Sequence, residues 1–187
     1  MALGVWPGVA GAAIAPLLAP VRDVTVEYVV SPAGRAPVGV RVAIAAGGRH
    51  LRITSPDLPT TILVDRDEGV AQVMLPLLRA YTDVKIGKFD PQRTVLRGAR
   101  FTSGGREHLA GRACVDWHAE SREGTADACI TGDGVIMRGS VRSARRGVLG
   151  EVTASRVVYG ALPASAFAVP GDFQRSPFPL AQGDDGK

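Results

Sequence analysis

At 187 residues, 45% apolar and 21% charged, the chain is long enough to bury one sizeable core and short for two domains. Its formal charge of +4 is carried mostly by arginine, which favours anionic surfaces. The few aromatics are scattered instead of interleaved with basic residues, which argues against a nucleic-acid partner, and 23 Gly with 13 Pro argue against long helices.

The first charged side chain is Arg22. Residues 1–21 read either as a signal-peptide remnant lacking its basic start or as an apolar N-terminal segment of the domain. Pro7, Pro16 and Pro20 argue against a membrane-spanning helix there. Residues 22–175 are expected to form one domain and 176–187 a flexible tail.

From Arg22 to Ser31, Val24, Val26, Tyr28 and Val30 alternate with Asp23, Thr25 and Glu27, the period of a half-buried strand. Val38, Val40, Val42 and Ile44 repeat it, and the chain turns at Gly47-Gly48 and resumes at Leu51 and Ile53, a hairpin. Thr61 to Asp65 and Val70 to Leu75 predict a second hairpin around Arg66 to Gly69. The segment Tyr81 to Gly98 breaks the alternation, and Asp90-Pro91 suggests a short helix over Pro91 to Arg97. Strands are expected again at Ala99 to Thr102 before a turn at Gly104-Gly105, then from His108 to Glu120, Ala126 to Thr131, Val135 to Val141 and Val148 to Tyr159. Nine or ten strands joined by short turns predict a mainly β, strongly curved antiparallel sheet forming an incomplete barrel, with few short helices.

Cys114 and Cys129 are the only cysteines. A bond between them needs adjacent antiparallel strands around Ser121 to Gly124, with both side chains on one face. Alternation then puts Cys114, Asp116, His118, Asp127, Cys129 and Thr131 on one side, and Val115, Trp117, Ala119, Ala126, Ala128 and Ile130 on the other. The bond is expected as a staple on the polar outer face of a hairpin, and it places the protein in a periplasmic or secreted setting. Two unrelated thiols are the alternative.

No CxxC, HExxH, GxSxG, Walker loop or GxGxxG occurs, so no metal, cofactor or catalytic residue is expected. Asp116, His118 and Asp127 read as a solvated polar face ahead of an acid/base site. Trp117 reads as a core or cavity-wall residue. Arg138, Arg142, Arg145, Arg146 and Arg156 read as a solvated sheet edge, with attraction to an anionic membrane surface or to an acidic partner as the sharper expectation.

The stretch HLAGRACVDWHAESREGTADACITGDGVIMR, followed by EVTASRVVYGALPASAFAVPGDF, resembles the LolA/LolB-like periplasmic lipoprotein-carrier family. The shared features are a Leu-Ala-Gly turn, a cysteine strand with a Trp, a second cysteine strand with an Asp-Gly turn, and a late strand followed by Phe167, Val169, Pro170, Gly171 and Phe173. The resemblance implies a half-barrel over about residues 22–175 whose concave apolar face takes acyl chains of a lipid or lipoprotein. Cavity candidates chosen by apolar parity or size are Val26, Tyr28, Ile53, Trp117, Ile130 and Met137. The expected function is a non-enzymatic lipid or lipoprotein acyl-chain carrier; the rival is a structural or protein-interaction module that uses the same curved sheet with its core filled by its own side chains.

Overall fold

The computed structural model describes residues 15–86 and 98–177. The helix expected over 91–97, most of the tail and the first fourteen residues lie outside the described part.

The alternating segments form one curved, open, antiparallel sheet, as expected. Six strands run as a meander: β1 (Val24–Pro32), β2 (Val38–Ile44), β3 (His50–Ser55), β4 (Leu58–Asp65), β5 (Val70–Leu75) and β6 (Ala80–Lys85). A second meander holds β7 (Arg100–Leu109), β8 (Arg112–Ser121), β9 (Gly124–Ile130), β10 (Ile136–Ser143) and β11 (Gly147–Tyr159). Pairing of β1 with β11 joins the two, and a two-residue β12 (Gln174–Arg175) adds parallel to β6. The sheet order is β12-β6-β5-β4-β3-β2-β1-β11-β10-β9-β8-β7.

Among the described residues twelve strands replace the expected nine or ten, for two local reasons. The β6 sequence, Ala80 to Lys85, alternates Ala80, Thr82 and Val84 with Tyr81, Asp83 and Lys85. That is a strand period with little contrast in hydrophobicity, so its pairing with the apolar β5 decides it. β12 is too short to carry any periodicity. The expected turn at Gly104-Gly105 is a bulge within a continuous β7, and the chain reverses instead at Ala110-Gly111, where both residues have positive φ.

Beyond Tyr159 the chain crosses the first meander. The Asp23 carboxylate accepts the Leu162 N–H, a 3-10 turn at Ala164–Phe167 packs on β3, and Arg52 donates to the Ala166 carbonyl at 3.2 Å. Leu63 and Met74 are buried in this half of the molecule.

The main core gathers Val24, Val26, Cys114, Cys129, Val135, Met137 and Ala154, with Tyr28, Ile44, Leu109, Val157 and Tyr159 packed around it. Cys114 and Cys129 are bonded, with Cα atoms 5.4 Å apart. The expectation of an outer staple is corrected: the cysteines are 2% and 0% exposed. Their strand face is polar further along, at Asp116, His118 and Asp127, but the cysteines themselves belong to the main core with Val24, Val26, Val135 and Met137, and Leu109 at the end of β7 packs against that core.

Candidate functional site

The pairing of β7 to β11 sets up rows of side chains. Trp117 stands opposite Ala128, Ala128 opposite Gly139, and Gly139 opposite Val152. In the next row Phe101 faces Ala119, Ala119 faces Ala126, Ala126 faces Val141 and Val141 faces Gly150. Each row puts small residues between large ones, which leaves a trough along the sheet. The result is an apolar cavity of about 250 Å³ walled by Leu18, Phe101, Trp117, Ile130, Ile136 and Val152 around those small residues.

The six residues expected to line a cavity fall into three groups. Trp117 and Ile130 line the apolar cavity. Val26 and Met137 are fully buried in the main core. Tyr28 packs against that core and donates its hydroxyl to the Ile136 carbonyl at 2.9 Å, and burial raises its pKa. Ile53 is half-buried on β3, where it pairs with Val42 and Ile62. Phe101, Ile136 and Val152 are not singled out by the sequence. Their signal is the cross-strand register, and register becomes available only once the strands are paired.

One end of the cavity meets the segment before β1. Val21 donates its N–H to the Asp133 carbonyl, Pro20 accepts from Gly47, and Arg22 pairs with Asp133 at 3.1 Å. Arg22 and Arg112 both lie over the Tyr159 ring, at 3.8 and 4.8 Å. The segment is held so closely that a Cβ on Gly134, which has φ +90, would overlap the Ala19 carbonyl oxygen.

On the other side of the same strands, Asp116, His118, Asp127, Arg138, Ser140 and Glu151 line a polar depression of about 460 Å³. The structure thus brings Asp116, His118 and Asp127 together as the alternation predicts. His118 Nδ1 lies 2.7 Å from Asp127, its cross-strand partner, and Arg138 bridges Glu107 at 3.0 Å and Asp116 at 3.3 Å. The Arg138 pKa is raised, chiefly by its hydrogen bond to Glu107. Glu107, Asp116 and the Cys129 sulfur also lie within reach of one another, but that sulfur is committed to the disulfide and Arg138 already neutralises the carboxylates.

β10 and β11 are interior strands of the sheet, so the expectation that Arg138, Arg142, Arg145, Arg146 and Arg156 form a sheet edge is corrected; β7 and β12 stand at the ends of the sheet. A first strand that returns to pair with the last of the second meander places β11 between β1 and β10, and this closure is invisible in local sequence.

No family profile matches the chain, and no curated protein matches it in sequence. Solved structures do. An uncharacterized conserved protein from Thermus thermophilus aligns over 83% of this chain and 90% of its own at 11% identity, with a TM-score of 0.57. MucB, in the MucA/MucB complex of Pseudomonas aeruginosa, aligns over 81% of this chain at 16% identity and a TM-score of 0.55; this chain spans 57% of it. These likenesses establish a shared fold. The chain forms the curved open sheet implied by the LolA/LolB-like resemblance. A LolA superfamily protein from Nitrosomonas europaea also aligns, at 8% identity and a TM-score of 0.41, which is too loose to bear on a ligand.

Proposed function

We propose that this is a non-enzymatic binding domain of the periplasm or another oxidising compartment, and that it takes an apolar chain, such as an acyl chain of a lipid or lipoprotein, into the cavity beside Trp117. The observation that carries the reading is the trough itself: two rows of Ala and Gly between Phe101, Trp117, Ile136 and Val152 leave apolar space that the protein's own side chains do not fill. At about 250 Å³ the cavity is below the usual size of a small-molecule site, so it suits part of an acyl chain with the head group outside. A disulfide buried in the main core supports the compartment, since such a bond contributes stability only where thiols oxidise. The charged groups of the polar depression are largely tied to one another, which supports a structural role for them over an acid/base one.

A second reading, a domain that binds an apolar segment of a protein partner, is favoured by the likeness to MucB, a protein seen in complex with MucA. Native mass spectrometry with lipid extraction, followed by titration with a fluorescent fatty acid, separates the two. Co-purified lipid, or probe uptake that Trp117→Asp abolishes in a folded variant, supports the acyl reading. An empty protein that takes up no probe overturns it in favour of a protein partner.

A further inference from the structure

In an antiparallel meander successive turns alternate between the two ends of the sheet. Here the pairings Pro32 with Gly150, Ser55 with Leu58, Leu75 with Ala80, Ser121 with Gly124 and Ser143 with both Gly124 and Gly147 place five turns at one end. These are the turns after β1, β3, β5, β8 and β10. They carry five arginines, Arg35, Arg79, Arg122, Arg145 and Arg146, against two acids, Asp57 and Glu123. The four turns at the opposite end carry two arginines against three acids. The positive charge of the turns is therefore polarised along the strand direction.

The same rim exposes large apolar side chains. Leu77 is 84% exposed, Leu78 65% and Leu58 54%, and Val148 and Leu149 at the β10–β11 hairpin are also exposed. Arg79 has Asp172 at 3.7 Å, whereas Arg35, Arg122, Arg145 and Arg146 have no ion-pair partner among the described residues. Along the rim the leucines of the β5–β6 and β3–β4 turns are followed by the unpaired arginines of the β1–β2, β10–β11 and β8–β9 turns, with Val148 and Leu149 beside Arg145 and Arg146. Such a rim matches the two layers of a membrane surface, anionic head groups outside and acyl chains just beneath.

We propose that this rim is a docking surface for an anionic bilayer, with Leu77 and Leu78 entering the interface and Arg122, Arg145 and Arg146 meeting the head groups. The proposal rests on the turns and does not depend on the occupant of the cavity. Charge complementarity favours a bilayer over a purely acidic protein because the leucines stand at turn tips instead of in a groove.

The test is co-flotation of the full chain with vesicles of phosphatidylcholine containing roughly a third phosphatidylglycerol, beside vesicles of phosphatidylcholine alone. The wild type is expected to float with the anionic vesicles only. Arg145→Glu/Arg146→Glu and, separately, Leu77→Asp/Leu78→Asp are each expected to reduce binding roughly tenfold or more. Arg49→Glu/Arg156→Glu makes the same change in net charge away from the rim and is expected to leave binding unchanged. Thermal melts check that each variant is folded. Failure of the wild type to bind, equal loss in the Arg49/Arg156 control, or binding indifferent to the leucine pair overturns the proposal. Acyl-probe uptake measured on the same variants reports separately on the cavity.

Discussion

Trp117 lines the cavity because its neighbours are small, so substitutions there separate shape from polarity. Trp117→Asp puts a charge in the trough, whereas Ala128→Leu fills it with apolar bulk. Both are expected to abolish uptake of a fluorescent fatty acid, Ala128→Leu with little change in melting temperature, because it grows into existing space. Uptake unchanged in a folded Ala128→Leu protein places the ligand elsewhere. Gly134 is the opposite case. A methyl group there meets the Ala19 backbone, so Gly134→Ala is expected to cost about 1–3 kcal/mol in urea unfolding and to release the segment that carries Leu18.

Two acid groups give stability a pH dependence of opposite sign. Asp23 accepts N–H groups from Leu162 and Ala46, at 2.8 Å each, and these bonds lower its pKa. A lowered folded-state pKa means that its contribution is present above the ordinary carboxylate range and lost as pH falls through it. Unfolding midpoints followed between about pH 5 and pH 2 are expected to drop less in Asp23→Asn than in the wild type. Tyr28, raised by burial, contributes stability that is full below the ordinary phenol pKa and lost as pH rises above it. Its phenolate absorbance is expected to appear only as the protein unfolds in alkali.

Among the elements, the β8–β9 hairpin depends on two features of different kinds. Its turn pairs Ser121 with Gly124, where φ is +146 and a Cβ would overlap the Arg142 carbonyl oxygen; only glycine lets β9 approach β10 there. The disulfide closes a separation of 15 residues at the other end of the hairpin, inside the main core. Replacing both cysteines by alanine is expected to lower stability by about 2–5 kcal/mol in urea unfolding, combining the lost crosslink with a void among Val24, Val26 and Met137. A loss well under this range would show the bond to be peripheral to the fold. Same-face parity for the two cysteines is legible from alternation alone. Their burial is not, because it comes from packing with Val24, Val26, Val135 and Met137, which only the assembled sheet brings together.

Across the molecule as a body, the segment beyond Tyr159 crosses from β11 to the far edge, where β12 pairs with β6. Truncation after Gly160 removes the Arg52 and Asp23 contacts together with β12. It is expected to leave a protein that melts at lower temperature and binds a hydrophobic dye at β3 to β6. A truncated protein that melts like the full chain and binds no dye would show the crossing segment to be dispensable. Charge also acts at this level: arginines dispersed along the sequence converge on one rim because five turns share an end.

Local features follow from the sequence without further information. Alternation at Val24 to Val30 and Val38 to Ile44 is enforced by the pleat, so strands, hairpins and the mainly β class can be read from it. The same period puts Asp116, His118 and Asp127 on one face and Trp117 with Ile130 on the other. Pairing and register set the rest: the β1–β11 closure that turns an expected edge into interior strands, the burial of Cys114 and Cys129, and the rows of Ala and Gly that open a cavity beside Trp117. The closure joins strands far apart in the chain and the rows depend on the register between neighbouring hairpin strands, and residue-by-residue periodicity carries no information about either.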